Sequence, residues 1–128
     1  MNNNTMNSGV SKALRRKILE RDSYTCIFCD NAATDIHHIV PRSRGGKNSE
    51  LNLVCLCRIH HSLIHGERMV LDNHTPGYIP KVIVGTKAYR DELQYRIGEY
   101  MCDLYAEEVQ DGDIEIDDVV KFFGYPTE

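Results

Sequence analysis

The chain has 128 residues, the length of one ordinary domain, with 41% apolar residues and a net charge of −4. No run approaches the roughly 18 apolar residues of a membrane span, and the polar start "MNNNTMNSGV" has no apolar signal core. A cytoplasmic protein with no membrane contact is therefore expected.

Net acidity alone argues against nucleic acid, but its distribution does not. Residues 1–68 carry ten Lys/Arg against six Asp/Glu, residues 69–102 carry four of each, and residues 103–128 carry one Lys against nine acids. A basic front half is joined to a strongly acidic tail.

In chain order, residues 1–10 read as a disordered arm. Ser11 is a good N-cap, and Leu14, Ile18 and Leu19 recur at helical spacing, which predicts a helix over 12–21. "YTCIFCDNAAT" contains a tight turn flanked by cysteines, "DIHHIV" is a short strand, and "PRSRGGKNSE" is a loop of turn residues. "LNLVCLC" is extended or a turn, and "HHSLIHG" reads as a short helix closed by Gly66. "RMVLD" and "YIPKVIVG" suit two short strands. A helix is expected from Thr86 to about Val109, because Tyr89, Leu93, Ile97, Tyr100, Met101 and Leu104 recur mostly at three- and four-residue steps. "DGD" at 111–113 is a turn and "IDDVVKFFG" a last short helix. The class is α+β.

Four of the five cysteines and five of the six histidines fall in one stretch, residues 26–65. In a reducing compartment an odd cysteine count does not suggest a disulfide framework. Cys26-x-x-Cys29 is a two-ligand turn, and Cys57-Arg58-Ile59-His60 repeats its spacing about thirty residues later. Two such pairs supply the four N/S ligands of a structural zinc. A rival set takes Cys55 in place of His60, since residues i and i+2 share a strand face; the repeated gap favours His60.

His61 and His65 are four apart, on one face of the expected helix. His37, if its side of the strand faces that helix, completes a three-histidine metal site. In a strand its neighbour His38 then points the other way. A neutral imidazole suits general-base work near neutral pH, so His38 is expected to take a proton from a water attacking phosphorus. The metal would polarise the phosphate.

These residues resemble the HNH (ββα-metal, His-Me finger) endonucleases, through "CIFC", "HHIVPRSRGG", the Asn of "LNLVCLC" and "CRIHHSLIH". The resemblance covers about residues 12–66 and puts the motif letters on His38, Asn52 and His61. It implies a ββα-metal core with a structural zinc knuckle, His38 as general base, and His37, His61 and His65 as ligands of a catalytic metal. Asn52 would brace the loop between the strands. Arg42, Arg44 and Lys47 would lie near the DNA backbone. Many relatives have cysteine where His60 stands, so the knuckle here would be Cys3His. The family site accepts several divalent ions, leaving magnesium, manganese, nickel or zinc open; histidine ligands favour a transition ion. Small stand-alone members look like those of phages and mobile elements, working in a bacterial or phage-infected cell.

This divides the chain into an arm (1–10), an HNH nuclease domain (11–72) and an acidic, helical C-terminal extension (73–128). Arg15 and Arg16 of the first helix are placed along DNA phosphates. The stripe at 89–104 reads as core or as an interface with a protein partner or second copy. The leading reading is a metal-dependent DNA endonuclease. The alternatives are a zinc module that binds DNA without cutting it, and a regulatory or inhibitory protein acting through its acidic C-terminal half.

Overall fold

The computed structural model describes residues 9–113. The arm up to residue 8 and the short helix expected at "IDDVVKFFG" lie outside the described residues, as does most of the acidic tail.

Helix α1 spans Lys12–Arg21, as its spacing predicts, with the Ser11 side chain accepting from the Leu14 N–H at 3.0 Å. A cap of this kind contributes about 1 kcal/mol. Strand β1 (Asp35–His38) pairs antiparallel with β2 (Leu53–Leu56), setting His37 opposite Val54 and His38 opposite Leu53. Helix α2 (Arg58–Ile64) follows at once, capped by Cys57 and ending before Gly66. The connecting loop is not featureless: residues 42–44 and 50–52 form single 3-10 turns.

Successive strand residues face opposite sides, and both sides of this hairpin are covered. Leu53 and Cys55 pack with Ile36 and with Ile18 of α1. Val54 and Leu56 pack with Leu63 and Ile64 of α2. All four β2 residues are therefore buried, which is why "LVCL" reads as a continuous apolar run without alternation.

A second antiparallel pair, β3 (Arg68–Leu71) and β4 (Lys81–Val84), turns Met69 and Ile83 toward the core and leaves Val70, Val82 and Val84 exposed. The predicted long helix is two: α3 (Lys87–Leu104) and α4 (Ala106–Gln110). The break falls at Tyr105, which leaves helical geometry where its ring is buried and its hydroxyl meets Arg21 Nη1 at 3.1 Å. The stripe on α3 is core: Leu93, Ile97 and Met101 join the cluster that holds Val54, Leu56 and Leu63. One apolar core thus runs across residue 72, and so does the pairing of β3 with β4.

Candidate functional site

Among the described residues, two groups bring potential metal-binding atoms within 4.8 Å of one another. The second is built on β1 and the end of α2; the first joins the start of α2 to the segment between α1 and β1, which carries Cys26 and Cys29.

The first group is Cys26, Cys29, Cys57 and His60. His60 Nδ1 lies 3.6 Å from Cys26 Sγ, 3.6 Å from Cys29 Sγ and 3.3 Å from Cys57 Sγ, and the sulfurs of Cys29 and Cys57 are 3.9 Å apart. Zinc–sulfur bonds of about 2.3 Å and zinc–nitrogen bonds of about 2.0 Å, set tetrahedrally, put ligands about 3.5–3.8 Å apart. The residues fit a zinc ion. Backbone N–H groups of Phe28 and His60 each donate to a ligand sulfur, on Cys26 and Cys57, at 3.4 Å. These bonds stabilise thiolate. Without a cation, burial favours the thiol of Cys26, pushing it up to about 11. The rival ligand Cys55 is elsewhere. It lies on the α1 side of the hairpin, with its sulfur against Ile18 O at 3.7 Å.

The second group is His37, His61 and His65. The rings meet edge to face, with centroids 5.2 Å apart for His37 and His61, 5.3 Å for His37 and His65, and 4.8 Å for His61 and His65. His61 Nδ1 donates to Asp35 Oδ2 at 2.6 Å, so the neutral ring carries its lone pair on Nε2. That Nε2 is 3.1 Å from His65 Nε2, the separation of two imidazole ligands on one cation at about 2.0–2.1 Å. His37 Nδ1 is buried with no hydrogen-bond partner among the described residues. Burial, then the neighbouring His61 and His65, holds His37 well below the usual histidine range, and burial also lowers His65. In their neutral form the three rings offer the nitrogen donor set a divalent ion requires, so the residues present fit one. The buried Asp35 was not singled out from the sequence. It sits two residues before His37, on the same side of β1, and orients a histidine 26 positions away.

His38 takes the other side of the strand. Its Nε2 lies 2.7 Å from Asn48 Oδ1, and an amide oxygen only accepts, so Nε2 carries a proton and the neutral ring holds its lone pair on Nδ1. Asn48 is a second residue the sequence did not reveal; a loop Asn reads first as turn chemistry. Asn52 is fully buried. Its Oδ1 accepts from the Val40 N–H at 2.8 Å, and its Nδ2 donates to Val40 O at 3.1 Å and Lys47 O at 2.9 Å. It thereby ties together the two ends of the loop that carries Arg42 and Arg44. Gly46 closes the same tie, since a Cβ there would stand 1.7 Å from Val40 O. Arg42, Arg44 and Lys47 are exposed along this loop.

On α1, Arg16 is exposed, whereas Arg15 is half-buried with Nε secluded from solvent. Lys17 pairs with Glu50 at 2.7 Å. Arg21 faces inward, with its fork on Asp22 at 2.8 and 3.0 Å and further bonds to Glu50 O and Leu53 O.

An antiparallel hairpin followed by a helix, with histidines from strand and helix converging beside a Cys3His cluster, defines a ββα-metal domain. Residues 26–67, about a third of the chain, match the family model for HNH endonucleases. HNH domains are associated with nuclease or DNA-binding function, and HNH nucleases use divalent metals. The chain is also similar to Anaredoxin from Nostoc sp. (strain PCC 7120 / SAG 25.82 / UTEX 2576). The two are 29% identical over 62 residues, covering 47% of this chain and 82% of that protein. No solved structure matches. Among the described residues no helix is long and apolar enough to cross a membrane.

Proposed function

We propose that the protein is a metal-dependent endonuclease that hydrolyses phosphodiester bonds in DNA. The nuclease chemistry is assigned to residues 11–72, with 73–128 as an extension. One observation carries the reading. Adjacent histidines face opposite sides of the strand: His38 Nε2 lies 2.7 Å from Asn48 Oδ1, while His37 is buried against His61 and His65.

His38 is the general base. Its Nδ1 takes the proton of a water as the water oxygen bonds to phosphorus and the bond from phosphorus to the leaving oxygen breaks. Asn48 holds the tautomer that makes this possible. His37, His61 and His65 would hold the divalent ion, which when bound supplies a Lewis acid at a phosphate oxygen. Asp35 holds His61 with its Nε2 toward that ion. Cys26, Cys29, Cys57 and His60 would hold a structural zinc that fixes the start of α2, and hence His61 and His65. Arg42, Arg44, Lys47, Arg15 and Arg16 supply salt-dependent affinity for the DNA backbone.

The test is one gel. Zinc-loaded protein is incubated with supercoiled plasmid and magnesium, manganese or nickel, beside a chelator control and His38→Ala. Metal-dependent nicking that the variant loses is the expected result. Binding without cutting under any ion would favour the zinc module that binds DNA without hydrolysing it.

A further inference from the structure

A cleft of about 330 Å³ opens beside the three-histidine group. One wall belongs to the family segment and includes His37, Arg44 and His65; the other is α3, with Arg90 and Gln94. Helix α3 begins twenty residues after the matched segment ends, so nothing in the HNH pattern assigns its residues a part in the site.

The placement of Arg90 is built. The Gly85 N–H donates to Glu67 O at 3.1 Å, and a Cβ on Gly85 would stand 2.1 Å from Leu63 O. The start of α3 is thus seated backbone to backbone on the end of α2. Arg90 lies in the first turn of α3 and its Nε donates to Gly85 O at 3.1 Å. Its stem crosses Gly66, passing 3.6–3.8 Å from where a Cβ of that glycine would stand. Gly66 directly follows His65. Fixing Nε in this way leaves the two Nη groups as a fork, the geometry that grips two oxygens of a phosphate. Arg44 lines the same cleft. Among the described residues the one carboxylate there, Asp91, already pairs with Lys87 at 2.8 Å. The charge balance selects an anion.

We infer that Arg90 binds a backbone phosphate of the polynucleotide in this cleft, so that the C-terminal extension supplies a substrate-binding residue the HNH segment lacks. This rests on the nuclease reading above.

The test uses the full, zinc-loaded chain. Affinity for a short DNA duplex is measured against salt in a His38→Ala background, and plasmid nicking in the active background. Arg90→Gln keeps the stem and a donor for Gly85 O but removes the charge. It should make the slope of log affinity against log salt shallower by about 0.9, one phosphate contact, and slow nicking. Arg90→Lys should restore the slope. If Arg90→Gln folds poorly, the same slope is read on Arg90→Met, which keeps the apolar stem over Gly66. A folded, charge-free variant with the parent slope and nicking rate would overturn the inference while leaving the nuclease reading intact. A parent protein that neither binds nor nicks DNA would overturn both.

Discussion

The Tyr100 hydroxyl donates to the Asp22 carboxylate, which ties the C-terminal part of α3 to the end of α1. The same carboxylate accepts from the Arg21 guanidinium and, at 3.0 Å, from the Cys55 N–H of β2. Three elements therefore share one buried acceptor. Through it, α3 is fastened to the hairpin that carries His37 and His38. A hydrogen bond to a charged group is worth about 1.5–3 kcal/mol. Tyr100→Phe should lower stability by about that much in urea unfolding, without changing the bound zinc.

Alkaline pH should act on the same joint. Burial, first, pushes the Tyr100 phenol far above its ordinary value, and burial also raises Tyr105. Below about pH 10 both phenols are protonated in folded and unfolded chains alike, and their contribution is fully present. Above it the unfolded chain releases protons that the folded chain keeps, so stability falls as pH rises toward the folded values. The urea midpoint should drop between pH 9 and 11, with tyrosinate absorbance growing along the unfolding transition. A midpoint flat across that range would contradict the assignment, and Tyr100→Phe should show a smaller drop.

The zinc assignment separates Cys55 from the ligand cysteines, although Cys57 is only two residues away. Cys55→Ser should retain one tightly held zinc per chain, because that side chain faces α1 and lies outside the cluster. Cys29→Ser should lose it, while His60→Cys should keep it, since a fourth thiolate satisfies the same tetrahedron. Metal analysis after gel filtration reads all three. Retention by Cys29→Ser would count against the cluster.

Asp35→Asn should leave the zinc untouched and weaken the three-histidine site. Loss of an orienting partner of a metal-ligating histidine typically costs about 10–100-fold in metal affinity. Titration with manganese or nickel into zinc-loaded protein measures it. Unchanged affinity would mean that Asp35 serves Arg58, 3.3 Å away, rather than the metal.

Asn48 should matter through His38. His38→Ala is expected to reduce nicking by about 10²–10⁴-fold, the worth of a general base. Asn48→Ala should reduce the rate less and leave metal affinity alone. Asn48→Asp is more telling. A carboxylate facing Nε2 favours the imidazolium, so the acidic limb of the pH–rate profile should move to higher pH. A role confined to bracing the loop would lower the rate and leave the profile in place.

What the sequence by itself determined is local. The bounds of α1, the strand at Asp35–His38 and the end of α2 before Gly66 follow from caps and periodicity within a few residues. The pairs Cys26/Cys29, Cys57/His60 and His61/His65 are legible because a turn or one face of a helix already sets their spacing.

The tertiary structure decided what depends on which distant elements meet. It put Cys55 on the α1 side, brought Asp35 to His61, Asn48 to His38 and Arg90 to the cleft, and stopped α3 at Tyr105. Asp35 and His61 are 26 residues apart, and Asp22 and Tyr100 are 78 apart. No short-range period links such pairs. Their meeting is settled only when the apolar faces of α1, the hairpin, α2 and α3 close on one another and the polar groups caught between them must find partners.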